Sequence, residues 1–272
     1  MPGTGDKAGR VIPAAQPSPA ARSRLAVLAG IVAVAGIAWA YLIVAGGRMP
    51  GATADFQAMT KLKPWSAIDT FLMFLMWAVM MVAMMLPSAV PAIKVYDAVN
   101  RKMSPGPGQG VATAVFVAGY VIAWTAFSAG ATAFQWGLER LALLSPMMVS
   151  SSPMLGGVLL IAAGVYQWTP VKDICLKHCQ APLLFISLRW RPGPGGALGL
   201  GAAHGLYCIG CCWVLMGLLF VGGVMNLLWV AAIAVFVLVE KAAPCGRASG
   251  LFAGIVLVVG GIYVLATGLG AS

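Results

Sequence analysis

The sequence predicts an all-α, polytopic transmembrane helical bundle of about seven helices, with six as the smaller count, and a cytoplasmic N-terminus. Three observations predict it. The chain is 61% hydrophobic and 9% charged, a composition that belongs to membrane proteins rather than soluble domains. Apolar runs close to the roughly 20 residues that cross the hydrocarbon core recur along the chain. The basic residues gather on alternate connections, as the positive-inside rule requires. No long alternating pattern argues for a transmembrane β-barrel.

Residues 1–24 are rich in Pro, Ala, Gly and Ser, carry basic residues and show no apolar periodicity. They read as a disordered tail, and 25–272 as a single transmembrane helical domain. The first apolar run, 25–45, is longer than the apolar core of a signal peptide and reads as a retained anchor. An outer loop, 46–66, ends at Ser66 and Asp69, in the spacing of a capping box that opens the second span, 68–90. Pro87 bends or ends that helix and frees carbonyls near Ser88. The inner loop "NRKMSPGPGQG", 100–110, is a linker. The third span is 111–138, and the fourth, 154–168, is short. The stretch "WRPGPGGALGLG", 190–201, returns the chain to the bilayer for the fifth span, 197–221. A short sixth span, 227–239, and a seventh, 251–269, complete the count.

With the N-terminus inside, thirteen of the seventeen Lys and Arg residues lie on inner segments, and Arg48, Lys61, Lys63 and Arg140 lie outside. This orientation places the C-terminus outside. The net charge of +10 is accounted for by inner flanks that meet anionic membrane lipids. Nucleic-acid binding is not needed to explain it, and no soluble domain remains to supply it. No internal repeat supports an inverted-repeat transporter.

Three constellations carry chemistry. The run "HGLYCIGCCWVLMG", 204–217, sets a histidine and three cysteines in the fifth span. On a helix His204, Cys208 and Cys211 fall within about 60° of arc, and Cys212 widens it to about 100°. From 197, His204 lies about 11 Å deep and Cys212 about 23 Å. An ionisable side chain at that depth faces protein or a cavity. Imidazole with thiolates suits zinc, copper or iron, and thiolate softness favours Cu(I). The competing reading is that each cysteine packs as a small hydrophobe.

The second, "PVKDICLKHCQAPL" at 170–183, places Cys175, His178 and Cys179 in C-x-x-H-C spacing at the inner end of the fourth span. It offers three of the four ligands that zinc or iron takes, in a compartment that keeps thiols reduced. A solvated helix end and a redox-active dithiol are the other readings. The third is a methionine stripe in "DTFLMFLMWAVMMVAMMLPS", 69–88. Met73, Met76, Met80 and Met84 share about 80° of arc with Asp69 at the outer end, while Met81 and Met85 lie to one side. Thioethers are neutral ligands for soft ions, so the stripe reads as a metal pathway. Packing is its ordinary alternative, and Asp69 has a capping alternative. Glu240 and Lys241 pair or snorkel at the inner end of the sixth span. Cys245, beyond them, reads as an incidental loop cysteine. No phosphate loop, nucleophile elbow or paired-carboxylate arrangement appears.

Together "WAVMMVAMMLPS", "KDICLKHCQAPL" and "HGLYCIGCCWVLM" resemble a family of uncharacterised bacterial integral membrane proteins predicted to bind metal. The likeness covers most of 68–266. It implies a multi-pass protein of the bacterial inner membrane with a metal role, and supplies no substrate or reaction. The family pattern has arginine after the second cysteine of the middle motif, where this chain has Gln180; the ligands stay intact and one positive charge is lost.

The leading functional reading is a soft-metal-binding membrane protein that handles copper as carrier, importer or delivery factor. His204, Cys208, Cys211, Cys212, Cys175, His178 and Cys179 are its ligands, and a cytoplasmic metal acceptor is its partner. No catalytic residue is assigned, and the sequence leaves enzyme activity open while favouring a non-enzymatic role. A membrane thiol-disulfide oxidoreductase that relays disulfides through the same cysteines is the second reading. A non-catalytic subunit whose polar residues join helices is the third.

Overall fold

The capping box at Ser66 forms as its spacing requires. The Ser66 hydroxyl accepts from the Asp69 amide at 3.2 Å, and the Asp69 carboxylate accepts from the Ser66 amide at 3.0 Å. In the computed structural model, which describes residues 19–47, 65–105, 108–141, 144, 152–243 and 246–269, this cap starts the longest helix. The helices in chain order are α1 (Pro19–Gly47), α2 (Ala67–Met103), α3 (Gln109–Arg140), α4 (Pro153–Tyr166), α5 (Pro170–Gln180), α6 (Pro182–Arg189), α7 (Gly193–Gly217), α8 (Leu219–Gly222), α9 (Leu227–Ala242) and α10 (Gly246–Leu269). No strand stands among the described residues. Residues 1–18 of the expected tail, most of the 46–66 loop, and Cys245 lie outside the described residues.

Five helical stretches are long and apolar enough to cross a membrane: Leu25–Val44, Ala67–Met103, Gln109–Arg140, Gly193–Gly222 and Gly246–Gly268. The expected fourth span, 154–168, is α4, and the segment read as its exit forms α5, bent from α4 by 65°; the pair counted as one span makes six. The bend follows from the sequence. Thr169 caps α5 by accepting from the Lys172 amide, and Pro170 at its first turn cannot continue α4's hydrogen bonds. The expected sixth span is α9, whose 16 residues reach about 24 Å, short of the roughly 30 Å core. Large apolar side chains point outward, Val32 and Ile37 at 70% exposure and Leu228 at 81%, which is compatible with a multi-pass membrane protein.

α2 continues through Pro87 and Pro91 to Met103, some thirteen residues past the expected end of that span. A proline inside a helix leaves the carbonyl four residues earlier without its donor. At Pro87 that carbonyl belongs to Ala83, and the Trp39 indole of α1 donates to it at 3.1 Å. A neighbouring helix thus satisfies the group that would otherwise end the element.

The core lies where α2, α3 and α7 meet, with α1, α5, α6 and α9 against them and α10 paired with α4. α3 and α7 approach backbone to backbone. A Cβ on Gly201 would stand 2.0 Å from the Phe116 carbonyl oxygen, and one on Gly119 would stand 2.2 Å from that of Leu198. Small residues are the means by which membrane helices pack this closely. The seam fixes the height of α7, and with it the cysteines that α7 carries.

Candidate metal centre

α7 presents His204, Cys208, Cys211 and Cys212 to the interior, each at most 2% exposed. The arc drawn from helical spacing is therefore the buried face. α5 docks on α7 next to this face and adds Cys179, buried in the same cluster as Cys208 and Cys211 and neighbouring their thiols. Cys175, half-buried, rests against Gly210, where a Cβ would come within 2.7 Å of its sulfur. The Tyr166 hydroxyl donates to the Gly210 carbonyl and ties α4 to the same turn. The cysteines of the second and first constellations thus meet across a helix interface.

Four further side chains, none read as a site residue from the sequence, complete the surroundings. The Met85 thioether of α2 lies 4.0 Å from the Cys212 sulfur. The Tyr120 hydroxyl of α3 stands 3.1 Å from the Cys208 sulfur and 3.0 Å from the Met85 carbonyl. Lys241 of α9 donates to the Cys208 sulfur at 2.8 Å and to the Ser88 hydroxyl of α2 at 3.3 Å. Five helices therefore supply the atoms around Cys208. Lys241 does not snorkel to the surface; it is 8% exposed and turned inward. One signal for it is legible in the chain, an ionisable pair at the end of an apolar run.

The histidines differ. His178 is half-buried, stacked on Tyr207 at 4.2 Å, and its Nδ1 meets the Ile174 carbonyl at 2.8 Å. That contact leaves Nε2 as the nitrogen free to ligate. His204 sits among Phe116, Tyr120 and Phe185, with ring centres 5.8–6.2 Å away. Its Nδ1 is buried with no partner among the described residues, and a buried nitrogen of this kind has room for a water or an ion as its partner.

Among the described residues no three His, Cys, Asp or Glu side chains stand in an arrangement that would hold a metal ion. The Cys211 and Cys212 thiols each donate to the Cys208 carbonyl at 3.0 Å, so their protons point along the helix instead of toward a common centre. A change of χ1 between staggered positions redirects each sulfur without moving the backbone. The donor set itself, thiols with one thioether and an imidazole, fits a soft ion such as Cu(I).

The methionine stripe is buried along its inner length, with Met76, Met80 and Met84 between 1% and 8% exposed. Met76 and Met80 line a cavity of about 30 Å3 together with Met225. At the N-terminal end of the stripe Met73 accepts from the Gln135 amide at 3.3 Å, and Gln135 also meets Trp77 and Glu139. Asp69 is engaged in its capping box. Met85, which spacing sets to one side, touches a thiol because α2 is enclosed on more than one face.

Beside the thiols, α5 and α9 are joined by a second polar cluster. Lys172 and Glu240 pair at 2.6 Å with side chains 3% and 1% exposed, and Lys172 also donates to Gln167. Gln180, standing where the resembling family has arginine, donates to the Glu240 carbonyl at 2.9 Å. It thereby links α5 to α9 without a charge.

The described residues thus form an all-helical protein, with helices apolar and long enough to cross a membrane, whose buried centre gathers cysteines and a methionine from α2, α5 and α7. Residues 74–264 match the model of the PpoB2 family, described as copper chaperone, and the chain belongs to that family. All three motif stretches fall inside the matched region. No curated protein and no solved structure matches the chain.

Proposed function

We propose that this protein binds Cu(I) within the membrane and delivers it to a cytoplasmic acceptor. The observation that carries the reading is the meeting of Cys179 from α5 with Cys208 and Cys211 from α7, with Cys212 of the same α7 face beside the Met85 thioether. Soft donors from separate helices are gathered where packing alone would be served by alanine or valine. The copper chaperone description of the family supports the same ion. In this reading the thiols and His204 are the buried ligands, and Cys175 and His178 stand on the way out to the inner surface. Met76, Met80 and Met84 line the way in from the outer side. The working topology counts the bent α4–α5 pair and α9 as spans, seven in all, with the N-terminus inside a bacterial inner membrane.

Alkylation tests this reading. In freshly isolated membranes the thiols at 208, 211 and 212 are expected to be reduced, to react with a membrane-permeant maleimide after mild unfolding, and to be shielded when Cu(I) is added first. Close contact among Cys179, Cys208 and Cys211 also favours a second reading, a thiol-disulfide relay. A stoichiometric disulfide that exchanges with a quinone or a thioredoxin, with no shielding by Cu(I), would establish that alternative and displace the first.

A further inference from the structure

Thiolate softness does not by itself select copper, because a set of four thiolates is also an ordinary zinc site. Something else in the centre must decide between them, and Lys241 is placed to do so. Its ammonium donates to the Cys208 sulfur at 2.8 Å and to Ser88 at 3.3 Å. An ammonium carries donors and no acceptor, so the sulfur is the acceptor in this contact. Glu240, next in the chain, turns the other way and pairs with Lys172 at 2.6 Å. The positive charge of Lys241 is therefore directed into the thiol cluster, where the Cys208 sulfur and the Ser88 hydroxyl accept from it and the Tyr120 hydroxyl meets the same sulfur at 3.1 Å.

We propose that Lys241 sets the charge selectivity of the thiol cluster, favouring a monovalent soft cation over a divalent one. The inference rests on the reading of this cluster as the copper site. An ion held by the Cys208 sulfur shares that atom with the ammonium. Their repulsion scales with the charge of the ion, so a divalent ion meets twice the opposition that Cu(I) does. Burial keeps mobile salt from screening it. Ligand type admits both metals, and the fixed charge separates them.

The full chain, purified in detergent, is titrated at one pH with Ag(I), as the air-stable analogue of Cu(I), and with Zn(II), each against a competing chromogenic chelator. The quantity read is the ratio of the two affinities, which cancels general damage to the site. Lys241→Met removes the charge and keeps the bulk, and it is expected to move the ratio toward Zn(II) by about tenfold or more. Lys241→Arg keeps the charge and is expected to hold the ratio near that of the unaltered protein. If Lys241→Met loses its helical signal, Lys241→Gln takes its place with the same expectation. An unchanged ratio in the neutral variant overturns the inference, as does an equal shift in Lys241→Arg, which would make shape the cause. Failure of the unaltered protein to bind either ion refutes the copper reading instead.

Discussion

Cys208 is the residue on which the centre turns. Its sulfur meets Lys241 and Tyr120, its carbonyl accepts from both Cys211 and Cys212, and Cys179 lies in reach from another helix. Helical spacing displayed it, together with His204, Cys211 and Cys212, as one arc. Spacing could not display Met85 or Lys241, because they reach the cluster from 127 and 33 residues away, and periodicity reports only on one helix. The difference between Met85 and the stripe is open to measurement. Met85→Leu keeps volume and apolarity, so it is expected to cost under about 1.5 kcal/mol of stability. It is expected to weaken Cu(I) binding about tenfold, as loss of a supporting donor does. The double substitution Met80→Leu and Met84→Leu is expected to leave equilibrium affinity alone and to slow loading from the outer side. A competition titration with a stopped-flow loading assay separates the two. Equal affinity in Met85→Leu and unaltered protein would remove the thioether from the site.

At the scale of elements, the bend between α4 and α5 is what makes the centre. It turns the C-x-x-H-C segment back against α7, so that Cys179 comes to neighbour Cys208 and Cys211, 29 and 32 residues further along the sequence. The capping residues of that bend, Thr169 and Pro170, were visible in the sequence, yet the run 154–168 and the segment after it read as one span and its exit. Apolar length signals a span without giving its angle. The joint is held by Lys172 and Glu240, both almost fully buried. Removing one partner of such a pair leaves an uncompensated charge and costs about 3–5 kcal/mol, whereas replacing both is nearly neutral. Glu240→Gln is therefore expected to lower the thermal midpoint in detergent sharply, and Lys172→Met with Glu240→Gln to restore most of it. Parallel losses in the single and double variants would show that the pair does not hold α5 to α9.

For the whole molecule, the class was legible and the count was less so. Composition and apolar runs announce a helical protein built for an apolar surround, and five long helices bear this out. The short α9 and the bent pair escape a rule based on length, and the run of α2 through two prolines escapes one based on propensity. Single-cysteine labelling at loop positions tests the topology. Positions within 104–108 and 189–192 are expected to be shielded from an impermeant maleimide in intact cells, and position 65 to be labelled. Labelling of 189–192 from outside would reverse the orientation and place the Cys175 segment in an oxidising compartment.

The central claim, that the thiols gathered around Cys208 hold copper, is tested most directly by metal content. The full chain is purified in mild detergent from cells grown with copper, and bound copper is measured by mass spectrometry beside Cys208→Ser and His204→Ala. Copper in the unaltered protein that is absent from both variants is the predicted result, given that ligands act as a set. Full copper content in both folded variants would contradict it.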